Sequence, residues 1–485
     1  IDLKQTYYLV PIALAHQKYL KFIWNGTLFC FTCLPNGLAC APRLFTKMLK
    51  PVYATLQEEG FSCLGYIDDG FFVADTFAEC KRAIDRAVQL FTELGFLLNY
   101  EKSVLVPTQI LTFLGFVFNT RNMTLALGPD KREKIRQRCE YFITHTHFTV
   151  REVAQLVGLM VSYSDGTQHG LLHYRHLEHD KKMALKRSCG NFESRMCISI
   201  QSKLEIQWWL ANIARQARQL WLQPPDFALY SDASIEGWGG VFGDASAQGL
   251  WSVQEKTDHI NVLELKAALF SLQSLCGTKY STHIKLYMDN TTAVAYVNNM
   301  GGSKSMSCNA VAFDIWDWAV HRNIWLSACH IAGTENKEAD AASRTLDTAK
   351  EWKLNPAIFA YICHRLGAPD IDLFASRVAH QLVTYVSWKP DPGASRIDAF
   401  SFKWGDNVYA FAPFSLMDRV IQKMKRDNAH GVVVAPRWPT RPWWAQLMKM
   451  SKNVIIIPHA ARHLRNPATD APHPIAHLSL VACQI

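Results

Sequence analysis

Apolar and polar residues alternate differently in four successive parts of the chain. Residues 1–125 mix short apolar runs with an amphipathic segment at 78–94, which is typical of an α+β domain. Residues 126–225 are helical and basic in pattern. In residues 226–348 strand and helix patterns alternate, which predicts a mixed sheet flanked by helices. Residues 349–485 hold much of the proline and tryptophan and are predicted to form a last α/β unit. The pattern therefore predicts a multidomain protein of mixed α+β and α/β class.

The composition narrows the class of protein and its partners. Hydrophobic residues make up 49% of the 485 positions and charged residues 19%, which indicates a folded globular protein. The 51 Lys and Arg exceed the 42 Asp and Glu by 9, an excess that favours nucleic acid as a partner. No apolar run approaches the roughly 18 residues of a membrane helix, so no membrane partner is expected. The composition does not fix an oligomeric state.

The cysteines give an expectation about the compartment. Their number, 13, is odd and their positions are scattered, which argues against a disulfide framework. An intracellular location, nuclear or cytoplasmic, is therefore expected. Cys30 and Cys33 lie beside Phe29 and Phe31, and we predict that they are core residues of a buried strand rather than metal ligands.

A predicted hairpin carries two adjacent acids. Apolar runs on either side of Asp68-Asp69-Gly70 predict two strands joined by a tight turn. Two carboxylates so close repel each other, and a divalent cation would neutralise them. An Asp-Gly turn is also a very common hairpin connection, so the pair alone favours an ordinary turn.

Further motifs surround this hairpin. In order they are Asp2 in a strand-like start, the turn Leu34-Pro-Asn-Gly37, the hairpin Tyr66-Ile-Asp-Asp69, Lys102, and Phe113-Leu-Gly115. This ordered set resembles the palm of reverse transcriptases. The resemblance implies that Asp2 and Asp68 hold two Mg²⁺ or Mn²⁺ ions, with Asp69 assisting. It also implies two-metal chemistry that adds dNTPs to a DNA primer along an RNA template.

The same resemblance implies roles for residues around the incoming nucleotide. Tyr7 would crowd the sugar 2′ position and exclude ribonucleotides. Asn36, Gly37 and Tyr66 would lie against the nucleotide, although Asn36 stands where many relatives have Gln. Lys102 matches a proposed proton donor to the leaving pyrophosphate, and a solvated surface lysine is an equally good interpretation.

A second set of acids lies in residues 226–348. Asp232 follows a predicted strand at 228–230, and Glu264 opens a predicted helix at 262–275. Asp289 ends a predicted strand at 283–288, and Asp340 lies in a short helix. Any one of them could be a helix cap or a solvated acid. Acids at strand ends and on helices packed against one sheet can converge on one point, so the four together favour a shared site.

The strings around these acids are Tyr230-Ser-Asp-Ala-Ser234, Glu264-Leu-Lys-Ala267, Met288-Asp-Asn-Thr-Thr-Ala293 and the segment from His330 to Asp340. They resemble ribonuclease H. The resemblance implies that Asp232, Glu264, Asp289 and Asp340 bind two Mg²⁺ ions and cut the RNA strand of an RNA–DNA hybrid. It also implies that residues 126–225 are the thumb or connection. Their basic clusters would track phosphates, although a solvated helix face is as natural.

The last segment is similar to another family. Its strings Asp370-Ile-Asp-Leu-Phe-Ala-Ser-Arg377, Tyr385 to Gly393, Asp398 to Ser401 and Tyr409 to Ser415 resemble the segment that follows ribonuclease H in DIRS-like retrotransposons. That segment is distantly similar to Dam adenine-N6 methyltransferases, which implies a methyltransferase-like α/β fold. Phe411-Ala-Pro-Phe414 stands where those enzymes have Asn/Asp-Pro-Pro-Tyr/Phe. Because Phe411 offers no side-chain acceptor to an adenine amino group, we expect neither methylation nor use of S-adenosylmethionine.

Two other functions are alternatives to a reverse transcriptase with ribonuclease H. One is a domesticated, non-catalytic nucleic-acid-binding protein, which would leave the retained acids unexplained. The other is an active adenine-N6 DNA methyltransferase in residues 349–485, against which the substitution at Phe411 argues.

We predict that the chain as given does not polymerise DNA. The fingers of reverse transcriptases precede the first catalytic acid, and here only Ile1 precedes Asp2. The measurement is primer extension on poly(rA) with an oligo(dT) primer and Mg²⁺. Robust synthesis by these 485 residues would refute the expectation.

Overall fold

The computed structural model describes residues 1–346 and 351–485. They form two compact units, one of Ile1–Arg132 with Ala217–Leu220 and the other of Glu133–Gln216 with Trp221–Ile485. The predicted domain boundary between residues 348 and 349 lies outside the described residues. The predicted mixed α/β, multidomain class is confirmed.

The first part of the chain builds a helix-and-hairpin core. Its elements are β1 (Leu3–Lys4), α1 (Leu14–Gln17), β2 (Lys21–Trp24), β3 (Thr27–Cys30), α2 (Ala41–Glu58), β4 (Ser62–Tyr66), β5 (Asp69–Val73), α3 (Phe77–Glu93), β6 (Leu97–Leu98), β7 (Ile110–Phe113), β8 (Phe116–Asn119) and β9 (Thr124–Leu127). Thr76 starts α3 by accepting a hydrogen bond from the Glu79 amide. The apolar faces of α2 and α3 then bury Phe45, Phe72 and Phe91 beside the β4–β5 hairpin.

Cys30 and Cys33 are not core residues, which corrects the sequence expectation. Strand β3 is exposed along its length, and Cys33 is only half-buried. The reason is that β2 and β3 pair only with each other in the described part of the chain, so no further strand or helix covers the hairpin. The apolar residues of this run therefore indicate a strand, but they do not indicate that the strand is buried.

The second part is helical. Its elements are α4 (Pro129–Thr144), β10 (Phe148–Thr149), α5 (Val150–Tyr163), α6 (Arg175–Arg187), β11 (Arg195–Met196), α7 (Ile200–Asn212) and β12 (Arg218–Gln219). Thr149 and Glu152 form a reciprocal capping box at the start of α5. A helix predicted to run from 202 to 220 instead ends at Asn212, because β12 pairs antiparallel with β9 and its backbone groups are committed to that sheet.

The sheet segment, residues 227–344, is built around five strands. Its elements are β13 (Phe227–Ala233), β14 (Gly237–Phe242), β15 (Ala245–Leu250), α8 (Ile260–Leu275), β16 (His283–Met288), α9 (Thr291–Asn298), α10 (Met306–Val320), β17 (Trp325–His330) and α11 (Lys337–Arg344). The strand order is β15-β14-β13-β16-β17, in which β13, β16 and β17 are parallel and the other pairings antiparallel. The carboxyl ends of the parallel strands therefore meet at one edge, where ligand sites of such sheets form.

The C-terminal segment, residues 351–485, has a second five-stranded sheet. Its elements are β18 (Lys353–Leu354), α12 (Pro356–Leu366), β19 (Ile371–Asp372), β20 (Val386–Ser387), β21 (Arg396–Ile397), β22 (Val408–Ala410), α13 (Met417–Asp427), β23 (Gly431–Pro436), α14 (Pro442–Met450), β24 (Asn453–Ile457), β25 (Leu464–Arg465) and β26 (Leu480–Gln484). The strand order is β19-β22-β23-β26-β24, with β26 antiparallel to both of its neighbours. Val433 and Ala435 face one buried layer, and Val432 and Val434 face the other.

Short 3₁₀ helices complete the description. They lie at Thr6–Leu9, Ser164–Gly166, Gly170–Leu172, Glu255–Thr257, Ala399–Ser401, Phe414–Leu416 and Ala460–Arg462. Among the described helices, none combines the length and the apolar character that a bilayer crossing requires.

We predict that the second unit loses stability in mild acid through His173. Its ring stacks on Trp208 at 3.9 Å between centroids and meets Phe313 edge-on. Burial, with a smaller effect of the nearby His169, lowers the pKa of His173 to about 3. The unfolded chain would bind a proton below its usual pKa of about 6.5 while the folded chain would not, so stability falls as the pH drops below about 6.5.

The variant His173→Phe keeps the stacked ring and removes this titration. Between pH 7 and pH 5 the wild type should lose up to about 2 kcal/mol more unfolding free energy than the variant. Urea unfolding followed by pulse proteolysis at the two pH values measures this. His321→Phe, at a largely exposed histidine, is the control. Equal acid sensitivity in His173→Phe and the wild type would contradict the assignment.

Candidate functional site

Three acids of the sheet segment meet at one point. Carboxylate oxygens of Asp232, Glu264 and Asp289 lie within 4.8 Å of one another. Asp232 is near the end of β13, Asp289 directly follows β16, and Glu264 lies in the second turn of α8. Among residues 1–346 and 351–485, no other three histidine, cysteine or acidic side chains approach each other so closely.

The electrostatics of this acid cluster are unfavourable without a cation. Glu264 is 4% exposed, and burial together with the charges of Asp232 and Asp289 raises its pKa to about 9. Burial also raises the pKa of Asp232. The Oε2 atom of Glu264 is buried and has no hydrogen-bond partner among the described residues. Carboxylates that repel one another, one of them with an unpartnered buried oxygen, fit a hard divalent cation such as Mg²⁺ or Mn²⁺.

Asp340, the fourth predicted acid, lies beside this cluster and not within it. Its Oδ1 accepts a hydrogen bond of 2.6 Å from Nε of Arg344, one helical turn later in α11. Its charge contributes to the raised pKa of Asp232, so the two carboxylates are neighbours. The sequence interpretation overlooked Arg344, although a basic residue four positions after an acid in a helix signals this pairing.

Helix α11 can approach the acids because of one glycine. Gly239 of β14 pairs with Asp232 of β13. A Cβ atom at Gly239 would lie 2.5 Å from the carbonyl oxygen of Ala339 and from the amide nitrogen of Ser343, both in the α11 backbone. The Oγ of Ser343 lies 2.7 Å from Oδ2 of Asp232. Close helix packing thus places a buried hydroxyl on a candidate metal ligand and fixes its orientation.

The first unit brings its own three predicted acids together. Asp2 forms an antiparallel bridge with Asp69, and the Leu3 amide donates to the carbonyl oxygen of Asp68 at 3.0 Å. The start of the chain therefore lies along the β4–β5 hairpin. Burial, followed by the charges of Asp68 and Asp2, raises the pKa of Asp69. These acids are electrostatically coupled but more open than those of the sheet segment.

Two of the predicted nucleotide residues lie near these acids. Burial and the charge of Asp68 raise the pKa of Tyr7, whose ring meets Phe45 edge-on at 5.9 Å. The charge of Lys102 offsets part of the increase in the pKa of Asp69. Lys102 is therefore close enough to act on the site electrostatically, as a proton donor there would need to be.

The other predicted nucleotide residues are more exposed. Tyr66 ends β4 opposite Asp69 and is 54% exposed. Asn36 donates from Nδ2 to the hydroxyl of Tyr8 at 3.0 Å. Gly37 has a φ of +89°, a conformation that disfavours any residue with a Cβ. In the described contacts, neither Asn36 nor Gly37 has a partner among Asp2, Asp68 and Asp69.

The basic clusters of the helical part are partly neutralised. Arg136 pairs with Glu133 at 2.7 Å and also with Glu140, and Lys181 pairs with Glu178 at 2.6 Å. Cations already paired within one helix offer less free charge to phosphates, so these ion pairs weaken the interpretation of this region as a phosphate track.

A cavity of about 830 Å³ lies in the second unit, where the C-terminal segment meets the sheet segment. Phe411 and Phe414 are among its lining residues, as are Trp238 and Leu250 of the sheet segment. Glu351, whose pKa is raised by burial, accepts a hydrogen bond of 2.8 Å from Ser376 in the same lining. The volume of the cavity suits a small molecule. Phe411 contributes to its lining an aromatic ring with no polar side-chain atom.

Comparison with known proteins identifies the first part of the chain. A family model described as reverse transcriptase (RNA-dependent DNA polymerase) matches residues 1–118. Those residues are a reverse-transcriptase domain. Asp2, Asp68 and Asp69 belong to it, whereas the cluster of Asp232, Glu264 and Asp289 lies beyond the matched residues.

Part of the chain is also similar to retroviral polyproteins. The chain is 30% identical over 135 residues to the Gag-Pol polyprotein of avian reticuloendotheliosis virus, which covers 26% of this chain and 12% of that protein. It is 24% identical over 160 residues to the Pro-Pol polyprotein of feline foamy virus, covering 33% and 13%. The chain thus spans about an eighth of the length of these relatives.

Two solved structures align with part of the chain. The foamy viral protease-reverse transcriptase in complex with RNA/DNA hybrid aligns with 68% of this chain and 43% of its own, at 17% identity and a TM-score of 0.40. In complex with dsDNA it aligns with 68% of this chain and 66% of its own, at the same identity and TM-score.

We predict that Ser343 tunes metal binding at the acid cluster. The substitution Ser343→Ala removes the hydroxyl that orients Asp232, and the loss of such an outer partner typically weakens metal affinity 10- to 100-fold. The affinity for Mn²⁺ should therefore fall at least about tenfold, measured by the electron paramagnetic resonance signal of free Mn²⁺ during titration.

The matched control for this titration is Ser271→Ala. Ser271 is also fully buried in the sheet segment, and its hydroxyl has no hydrogen-bond partner among the described residues. It should bind Mn²⁺ like the wild type. Unchanged affinity in Ser343→Ala would show that the hydroxyl does not position Asp232 for a metal.

Proposed function

We propose that the chain belongs to an RNA-directed DNA polymerase with ribonuclease H activity, in which the sheet segment cuts the RNA strand of RNA–DNA hybrids. The observation that carries the nuclease is the convergence of Asp232, Glu264 and Asp289 at the carboxyl edge of a mixed sheet. Ordinary surface acids do not converge in this way, because bringing three carboxylates together, two of them buried, is costly unless a cation binds them.

The nuclease chemistry follows from how these side chains are held. When bound, two Mg²⁺ ions would activate a water molecule and stabilise the leaving 3′-oxygen of the cut phosphodiester. Asp232, Glu264 and Asp289 would hold the ions, Asp340 would complete the set, and Ser343 would orient Asp232. Arg344 forms an ion pair with Asp340. Breaking this ion pair would free the Asp340 carboxylate to bind a metal ion.

The polymerase proposal rests on the reverse-transcriptase domain. Asp2, Asp68 and Asp69 would hold Mg²⁺ or Mn²⁺ beside the primer end and the incoming dNTP. Tyr7, whose pKa responds to Asp68, would stand at the sugar, and Lys102 would lie near the leaving pyrophosphate. Asn36, Gly37 and Tyr66 would contact the nucleotide more peripherally.

The substrates follow from the same proposal. An RNA template, a DNA primer and an RNA–DNA hybrid are polyanions, which suits a net charge of +9. Hybrids would be selected by helix shape and 2′-hydroxyl contacts more than by sequence. An intracellular location, nuclear or cytoplasmic, belongs to the same proposal. A domesticated binding protein without chemistry is the second candidate, and the unpartnered buried oxygen of Glu264 beside Asp232 and Asp289 argues against it.

For the C-terminal segment we propose a methyltransferase-like fold, of the kind found in DIRS-like retrotransposons, that does not methylate. The ring of Phe411 lines the cavity without a hydrogen-bond acceptor for an adenine amino group. We therefore expect no S-adenosylmethionine chemistry there.

The proposed nuclease predicts a sharp effect of one substitution. In Asp289→Asn one metal-binding carboxylate becomes a neutral amide, so cleavage of a labelled RNA–DNA hybrid should fall more than about 100-fold, since outer partners alone already contribute 10- to 100-fold. Hybrid binding should stay nearly intact. Cleavage is followed on gels with Mg²⁺, and binding by fluorescence anisotropy.

The control is Asp244→Asn, at an exposed acid in the turn between β14 and β15. It makes the same charge change on the same sheet and should cleave like the wild type. Full cleavage by Asp289→Asn, or none by the wild type, would show that the acid cluster is not a ribonuclease H site.

A further inference from the structure

One arginine of the C-terminal segment reaches into the sheet segment. Arg377 lies in the loop after β19, and its Nη1 and Nη2 donate to the two carboxylate oxygens of Glu255 at 2.9 and 2.8 Å. Nη2 also donates to the carbonyl oxygen of Leu250 at 3.0 Å. The guanidinium carbon lies 4.4 Å from the centre of the Phe270 ring. A single side chain thus joins three sites on the sheet segment.

The pair of Arg377 and Glu255 is well shielded from water. Their side chains are only 20% and 13% exposed. Burial raises the pKa of Glu255, but the hydrogen bonds and charge of Arg377, together with hydrogen bonds from Ser252, outweigh it, so the pKa is lowered and the carboxylate stays charged at neutral pH. A two-pronged contact of this kind fixes orientation as well as distance, which a lysine ammonium does not do.

The contacts of Arg377 lead to the helix that carries Glu264. Residues 251–259 connect β15 to α8. Within them Trp251 is fully buried, donates from Nε1 to the carbonyl oxygen of Ser234 at 2.9 Å and packs near Phe270. Phe270 lies on α8, six positions after Glu264. Arg377 therefore holds both the entry to α8 and one of its side chains.

Arg377 is itself held by its own segment. Its backbone amide donates to Oδ2 of Asp391 at 2.9 Å, and the neighbouring Ser376 donates to Glu351 at 2.8 Å. The hydroxyl of Tyr385 donates to Oδ1 of Asp391. The loop is therefore fixed within the C-terminal segment. Through its guanidinium, Arg377 also fixes Glu255 of the sheet segment.

We propose that Arg377 is a positioning residue for the candidate nuclease site. Through it the C-terminal segment holds the connection 251–259 and α8 so that Glu264 meets Asp232 and Asp289. The inference deepens the proposed ribonuclease H function and rests on it. It gives the C-terminal segment a role as a support of the nuclease that needs no chemistry of its own.

The test compares Arg377→Ala with the wild type in the full chain. The kcat for hybrid cleavage should fall about tenfold, the lower end of the range for losing a direct partner of a metal ligand, because Arg377 acts on Glu264 only through α8. The Mg²⁺ concentration for half-maximal cleavage should rise, while the Kd for hybrid stays unchanged. Arg377→Lys should recover only part of the loss, and Arg377→Glu combined with Glu255→Arg should recover more than either single change.

The control is Arg396→Ala. Arg396 also lies over an aromatic ring, that of Phe402 at 4.6 Å, but that contact is within the C-terminal segment. It should leave kcat and the Mg²⁺ midpoint unchanged.

A second measurement does not depend on cleavage. Hydrogen exchange of the amides in residues 250–264 should be faster in Arg377→Ala than in the wild type, and unchanged in Arg396→Ala. If Arg377→Ala does not fold, Glu255→Gln, which keeps the acceptor oxygen for Ser252, replaces it in both measurements.

The outcomes separate the two proposals. Wild-type kcat, Mg²⁺ midpoint and exchange in both Arg377→Ala and Glu255→Gln would overturn the positioning role. A wild type that does not cleave hybrid, or an Asp289→Asn variant that does, would overturn the nuclease itself. If the nuclease proposal fails in this way, faster hydrogen exchange in Arg377→Ala would still show that the contact between Arg377 and Glu255 holds α8 in place. Unchanged exchange would show that it does not.

Discussion

Mutual repulsion of buried carboxylates is the constraint on which the sheet segment depends. Asp232 and Glu264 are buried and Asp289 is half-buried beside them, and burial together with the charges of the two aspartates raises the pKa of Glu264 to about 9. A fold that relied on packing alone would not retain this arrangement, because each acid would be better solvated at the surface. Three features together hold the acids against this repulsion. They are the parallel strands, the close packing of α11 on Gly239, and the contact of Arg377 with Glu255 and Phe270.

Local periodicity predicted the elements that carry the acids. The expected strand at 283–288 is β16 itself, and the expected helix at 262–275 differs from α8 by two residues at its start. Because strand ends and helix starts fix where a side chain points, the meeting of Asp232, Glu264 and Asp289 could also be predicted. The site could be anticipated from the sequence to the extent that it lies on regular elements of one sheet.

Contacts between distant parts of the chain could not be predicted. Arg377 and Glu255 are 122 positions apart, and nothing in the local pattern of either marks a partner. The same is true of β12, whose pairing with β9 overrides a helical pattern. The exposed cysteine hairpin shows the opposite case, since an apolar strand is buried only where another element covers it. Asp340 was placed correctly on a helix, but its partner Arg344 decides where its carboxylate points.

The position of β26 has a consequence for the order of folding during synthesis. Residues 480–484 form a central strand, inserted between β23 and β24, which precede it in the chain. The sheet of the C-terminal segment therefore cannot close until those residues have left the ribosome, long after the sheet segment has emerged. If Arg377 is ordered only by that closure, α8 acquires its outer support late. A nascent chain would then carry its acid cluster in a loosened form until synthesis has passed residue 484.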